Sequence, residues 1–104
     1  LMGGMSCGEV STIPWKIINN HCNFCMSISD DKISDTIKLL ANSSLCEKKL
    51  VGGECATPGI IGLIASCNNI NLKEKLNLNK NSQVLLLGCE GDVDEKLYQE
   101  LLNK

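Results

Sequence analysis

The sequence contains no arginine, and this absence limits what the protein can bind. All ten basic residues are lysines, and they are outnumbered by twelve acidic residues, which gives a formal net charge of −2. Arginine is the side chain that normally recognises phosphates and base edges through paired hydrogen bonds, and nucleic-acid-binding domains are usually basic. We therefore expect no nucleic-acid partner.

Long apolar runs and a secretory signal are missing as well. No apolar stretch approaches the roughly 18 residues that a membrane-spanning helix needs, and no signal-peptide pattern is present. We therefore expect no membrane partner and a cytoplasmic location. The seven cysteines are an odd number without a secretory signal, which predicts mostly reduced thiols.

A metal site or a redox pair is one possible use of the cysteines. His21-Cys22-x-x-Cys25 has suitable spacing, but zinc sites normally contain two such pairs, and the chain has a single histidine. A redox Cys-x-x-Cys pair normally precedes a helix directly, whereas a strand is predicted here. We therefore expect no metal site and no disulfide oxidoreductase, with Cys25 in the core.

The most informative stretch is residues 84–94, which reads as a strand, a loop and a helix start. Four consecutive apolar residues, 84–87, are typical of a strand covered on both faces. Gly88 and Gly91 permit a sharp turn and close approach to a ligand. Asp94 is a predicted N-cap for a helix over residues 95–103. Such a loop, at the carboxyl end of a strand, is a common ligand site in α/β sheets.

The rest of the chain predicts helices alternating with a second strand. That strand covers residues 24–29, and a buried helix is expected to follow Pro58. The alternation predicts an α/β fold, with a partial three-layer sheet of parallel strands. The other predicted helices lie at residues 12–18, 33–40 and 72–76, and residues 1–10 are predicted to form a loop. Trp15, Ile17 and Ile18 are expected on the buried side of the first helix, and Ile33, Ile37 and Leu40, spaced i, i+4, i+7, on that of the second. Two strands do not make an independent sheet, so the chain is expected to be a fragment or to complete its sheet with a partner. We treat residues 1–104 as a single α/β segment, part of a longer catalytic domain.

A second glycine-bearing loop, Gly52-Gly53-Glu54-Cys55, precedes the apolar helix. A carboxylate near a helix N-terminus is favoured electrostatically, so Glu54 is a candidate cofactor- or substrate-facing group. The alternative is that Glu54 only stabilises the loop as a capping carboxylate. Spacing does not choose between them.

Three segments together resemble the diaminopropionate ammonia-lyase family. Residues 2–9, Met-Gly-Gly-Met-Ser-Cys-Gly-Glu, are similar to the family's Gly-Leu-Ala-Cys-Gly-Glu, and a Pro-Trp pair follows at 14–15. Residues 53–56, Gly-Glu-Cys-Ala, resemble Gly-Glu-Ser-Gly. Residues 89–94, Cys-Glu-Gly-Asp-Val-Asp, resemble Thr-Glu-Gly-Asp-Thr-Asp, and Tyr-Gln-Glu at 98–100 also fits.

The resemblance implies the C-terminal portion of a fold type II pyridoxal-phosphate enzyme, the group that contains threonine dehydratase, serine racemase and the tryptophan synthase β subunit. The implied reaction is α,β-elimination of 2,3-diaminopropionate to pyruvate and ammonia. Cofactor-binding positions are implied at Gly53, Glu54, Gly88 and Cys89. The cofactor-binding lysine, general base and phosphate loop are expected upstream, so no catalytic residue is assigned here.

The implied partners are a small amino-acid substrate, the remainder of the enzyme chain and a second copy in a homodimer. The sequence departs from the group where a Ser or Thr hydroxyl commonly meets the pyridine nitrogen, since Gly88 and the weak S–H donor Cys89 stand there. Two functions stay open: part of a carbon–nitrogen lyase, inactive by itself, or a non-catalytic α/β module or degenerate homologue that binds a partner.

Overall fold

The computed structural model describes residues 2–104, and this part of the chain is helical. Its α-helices are α1 (Thr12–His21), α2 (Ile33–Ala41), α3 (Pro58–Asn68), α4 (Ile70–Lys75) and α5 (Glu95–Asn103). Short 3-10 turns occupy Gly3–Met5, Asp30–Lys32 and Glu54–Ala56. Leu1, which belongs to the predicted loop 1–10, lies outside the described residues.

The predicted α/β fold with parallel strands is wrong for this structure. Residues 2–104 contain no strand, and both predicted strands, 24–29 and 84–87, lack secondary structure. A strand exists only through hydrogen bonds to a neighbouring strand, and these two segments do not pair. The run at 84–87 is also far from buried, because Leu85 and Leu87 are 84% and 83% exposed.

The core is formed where α2, α3 and α5 meet. The predicted spacing in α2 is confirmed, because Ile33, Ile37 and Leu40 are buried on its inner face. The Ser34 hydroxyl donates to the backbone carbonyl of Leu101 at 2.6 Å and so joins α2 to α5. The central cluster consists of Ile33, Ile37, Ile61, Tyr98 and Leu101.

Two predicted helix starts are confirmed, and both border the glycine-bearing loops. The Asp94 carboxylate accepts from the backbone N–H of Leu97 at 3.0 Å and caps α5. Pro58 occupies the first turn of α3. Thr57 is fully buried, and its hydroxyl donates back to the Glu54 carbonyl at 2.7 Å instead of capping α3. That bond fastens the 53–56 loop to the start of the helix.

The sequence predicts more buried side chains in α1 and α3 than the structure contains. Trp15, Ile17 and Ile18 are all exposed, and α1 contains no buried residue. In α3 only Ile61 and Ser66 are buried. The radius of gyration, 14.9 Å, exceeds the roughly 13 Å typical of a compact domain of this length. Much of the apolar surface therefore faces outward. None of the helices described within residues 2–104 combines the length and the hydrophobicity that a membrane span requires.

Candidate functional site

The two glycine-bearing loops of the sequence lie against each other and are joined through Glu90. The backbone N–H of Gly53 donates to the Glu90 carbonyl at 3.1 Å. The backbone N–H of Cys55 donates to Oε2 of the same residue at 2.8 Å. A hydrogen bond to a charged acceptor is among the stronger kinds in proteins. Glu90 therefore holds the 53–56 loop through both its backbone and its side chain.

Close approach at this place requires glycine. A Cβ added to Gly53 would lie 2.3 Å from the backbone oxygen of Gly91, which is closer than non-bonded atoms tolerate. The N-terminal segment also contacts the same place, because a Cβ on Gly4 would lie 3.4 Å from the Cys55 Sγ and 3.5 Å from Oε1 of Glu90. We call the meeting of residues 3–5, 53–56 and 88–91 the loop junction.

Cys55 is the buried centre of the loop junction. Its side chain is only 7% exposed. Burial raises the pKa of the Cys55 thiol above its ordinary value, and the hydrogen bond to Glu90 and the negative charge of Glu90 raise it further. A backbone hydrogen bond from Gly4 acts in the opposite direction. Cys55 is therefore held as a neutral thiol, which suits a packed donor and not a nucleophile.

Three side-chain atoms that could act as metal ligands lie together at the loop junction. One oxygen each of Glu54 and Glu90 and the Sγ of Cys55 all lie within 4.8 Å of one another. Such atoms could ligate a cation. However, Oε2 of Glu90 already accepts from Cys55, and the thiol is held protonated. We therefore conclude that these three side chains hold the two loops together and do not form a cation site.

The structure places the four predicted cofactor residues at or beside the loop junction. Gly53 and Glu54 lie within it, and the Glu54 carbonyl also accepts from the buried Thr57 hydroxyl. Gly88 packs on Ala56, since a Cβ there would lie 3.3 Å from the Ala56 Cβ. Cys89, the next residue, has an exposed thiol. Their binding role stays a prediction.

Sequence reasoning missed Glu90. The residue was visible within the Glu-Gly-Asp motif that carries the family resemblance, but its contact to Cys55 spans 35 positions of the chain. Nothing in local spacing announces such a bond. One signal pointed to Glu90: it is a charged residue of a family motif, and helix capping does not need it.

An open apolar cleft of about 530 Å³ adjoins the loop junction. Its size is within the range of small-molecule sites. Gly88 and Glu90 border both the cleft and the junction. The aliphatic part of its lining includes Leu40, Leu50, Ile60, Leu63 and Leu86. The junction is therefore the polar edge of an otherwise apolar depression.

The Cys-x-x-Cys pair behaves differently from its sequence prediction. The sequence predicts Cys25 in the core, but both Cys22 and Cys25 are exposed. Their sulfur atoms lie 3.9 Å apart. Residues 26–29 after the pair form neither a helix nor the predicted strand.

Comparisons with known proteins confirm the resemblance drawn from the motifs. The chain is 31% identical over 106 residues to diaminopropionate ammonia-lyase from Escherichia coli strain K12, an alignment that covers 98% of this chain and 26% of that enzyme. The Salmonella typhimurium enzyme of the same name is 26% identical over an equal span. No protein-family model matches, and no solved structure matches significantly. The chain spans about a quarter of the length of these curated relatives.

Proposed function

This chain is homologous to a segment of diaminopropionate ammonia-lyase, and from that premise we propose that it forms one side of the active site of a longer, pyridoxal-phosphate-dependent ammonia-lyase. The observation that carries the proposal is the loop junction. The three motifs that resemble the family lie far apart in sequence and meet at Cys55 and Glu90. A shared cofactor pocket is a physical reason for three separate motifs to converge.

The residues of the junction suit the ring end of the cofactor and not its phosphate. Glu54 and Glu90 carry negative charge there, and a phosphate dianion would be repelled by it. Gly88 offers backbone without a side chain, and Cys89 offers a weak S–H donor. We therefore assign Cys89 to the ring nitrogen and Gly53, Glu54 and Gly88 to the surrounding wall.

Within such an enzyme the cofactor supplies the electron sink for α,β-elimination of ammonia from diaminopropionate. The contribution of this chain is positional. Glu90 fixes the 53–56 loop by two hydrogen bonds, and the loop in turn keeps the Glu54 carboxylate at the loop junction. Cys89 would present its thiol, a weak S–H donor, to the ring nitrogen.

The remainder of the enzyme is the partner that this proposal requires. It supplies the cofactor-binding lysine, the general base and the phosphate site. The many exposed apolar side chains of this segment, Leu85 and Leu87 among them, support burial against a further part of the same protein. A homodimeric, cytoplasmic enzyme acting on a small amino acid completes the proposal.

Substitution of Cys89 in the full-length protein tests the assignment. Cys89→Thr supplies a stronger donor of similar size, and Cys89→Val supplies the same shape without a donor. We expect pyruvate formation from diaminopropionate to be retained or raised by the threonine variant and lowered by the valine variant, with a shifted visible absorbance of the bound cofactor. Equal rates and identical spectra for both variants would contradict a Cys89 contact to the ring.

A non-catalytic homologue is the second candidate function. The observation that favours it is the missing hydroxyl at Gly88 and Cys89, where the related enzymes commonly carry Ser or Thr. Full-length protein that takes up the cofactor without forming pyruvate would support this alternative. Full-length protein that forms pyruvate from diaminopropionate excludes it.

A further inference from the structure

Cys22 and Cys25 form a surface dithiol at the end of α1. Their Sγ atoms lie 3.9 Å apart, close to van der Waals contact. Cys22 directly follows the last turn of α1, and its backbone N–H donates to the Ile18 carbonyl at 2.8 Å. The backbone at one end of the pair is therefore anchored by the helix, while both side chains are exposed.

A disulfide between these residues needs only a small movement. The two sulfur atoms must approach from 3.9 Å to about 2.05 Å. The Cys22 thiol donates to the Phe24 carbonyl at 3.0 Å, and formation of the disulfide gives up this one weak hydrogen bond. The exposed thiol of Cys46 differs from this pair. It donates to the Lys48 carbonyl, and that contact involves no second thiol.

We propose that Cys22 and Cys25 are a redox modification site that closes to an intramolecular disulfide by exchange with a small-molecule disulfide such as oxidised glutathione. The thiolate of one cysteine attacks oxidised glutathione, which forms a mixed disulfide and releases one glutathione thiolate. The thiolate of the second cysteine then attacks the protein sulfur of that mixed disulfide and releases the second glutathione. The two protein thiols lose two electrons to the oxidant, and their two protons are taken up by the released glutathiones.

The position of the pair gives the bond a structural consequence. Cys25 lines an apolar cleft together with Met26, Gly59 and Gly62, so the segment after the pair lies against α3. A Cβ on Gly62 would lie 3.4 Å from the Met26 sulfur. A disulfide ties this segment to the end of α1. The proposal depends on these contacts and not on the loop junction, so it stands independently of the proposed function.

The test is titration of the full-length protein with oxidised glutathione, followed by acid quenching, alkylation and peptide mass spectrometry. Wild-type protein is expected to lose two hydrogens in mass at the peptide that contains Cys22 and Cys25, with little glutathione attached there. Cys22→Ser and Cys25→Ser should each accumulate one glutathione on the remaining cysteine. Cys46→Ser is the matched control and should still form the disulfide.

The same measurement contains the result that would overturn the proposal. The pair has no special chemistry if wild-type protein forms no internal disulfide and acquires glutathione to the same extent at Cys22, Cys25, Cys46 and Cys67. A disulfide that joins Cys22 to any cysteine other than Cys25 overturns it as well. Because the readout is covalent and made on wild-type protein, misfolding of a variant leaves it unchanged.

Discussion

Replacing Gly53 with alanine is the sharpest test of the loop junction. The added Cβ would lie 2.3 Å from the Gly91 carbonyl oxygen and 3.0 Å from Oε2 of Glu90. The first contact is with backbone, so it cannot be relieved by a side-chain rotation. The 53–56 loop must therefore move away from Glu90, and the hydrogen bonds from Gly53 and Cys55 to Glu90 must lengthen.

The cost follows from these two effects. Forcing an extra methyl group into a packed site costs roughly 1–3 kcal/mol, and weakening a hydrogen bond to a charged acceptor costs roughly 1.5–3 kcal/mol. The two effects overlap, because the same movement relieves the clash and breaks the bond. We therefore expect local destabilisation of about 3 kcal/mol, which corresponds to a roughly hundredfold larger equilibrium constant for local opening.

Amide hydrogen exchange in full-length protein measures this opening directly. The N–H groups of Gly53 and Cys55 donate across the junction, so the peptide over residues 53–56 should lose protection in Gly53→Ala. Gly91→Ala is the matched control, since a Cβ there meets nothing within 4 Å. Equal exchange in the two variants would refute the claim that Gly53 permits the contact with Glu90.

Two further predictions address the thiol at the junction and the cap of α5. Because the pKa of Cys55 is raised in the folded chain, the unfolded chain loses the thiol proton first as the pH rises past about 8.5. The protonated Cys55 thiol therefore stabilises the fold below that pH, and this stabilisation is lost above it. In urea unfolding, the difference in the free energy of unfolding between wild type and Cys55→Ala should shrink between about pH 8 and about pH 10. A difference that stays constant over this range contradicts the prediction. Asp94→Ala removes the bond to Leu97 and should cost about 1 kcal/mol, measured by the same method, whereas Asp94→Asn should retain most of it; equal losses in both variants would refute the capping role.

Local patterns predicted the helices well, because helix formation depends on neighbours along the chain. The apolar spacing of α2, the proline at the start of α3 and the Asp94 cap all act within a turn or two. Each is visible in a short window of sequence, and each is confirmed. The same reasoning overestimated the burial of Trp15 and Ile17, because amphipathic spacing shows which face is apolar but not whether another element covers it.

The strand prediction at 84–87 failed for a related reason. Four apolar residues in a row are compatible with a buried strand, but pairing depends on a partner that the segment itself does not specify. No such partner is present among residues 2–104. Burial and strand pairing are both properties of the neighbours, and only the folded chain shows them.

The sequence by itself determined the helix starts, the apolar stripe of α2 and the motifs that identified the related enzymes. Tertiary structure decided that those motifs meet, with Glu90 bonded to the backbone of Cys55 35 positions away and Gly53 pressed against Gly91. It also decided which thiols are neighbours: Cys55 is buried beside carboxylates, and Cys22 faces Cys25. The division has a physical basis, because helix signals operate over a few residues, whereas a site is made by side chains that only folding brings together.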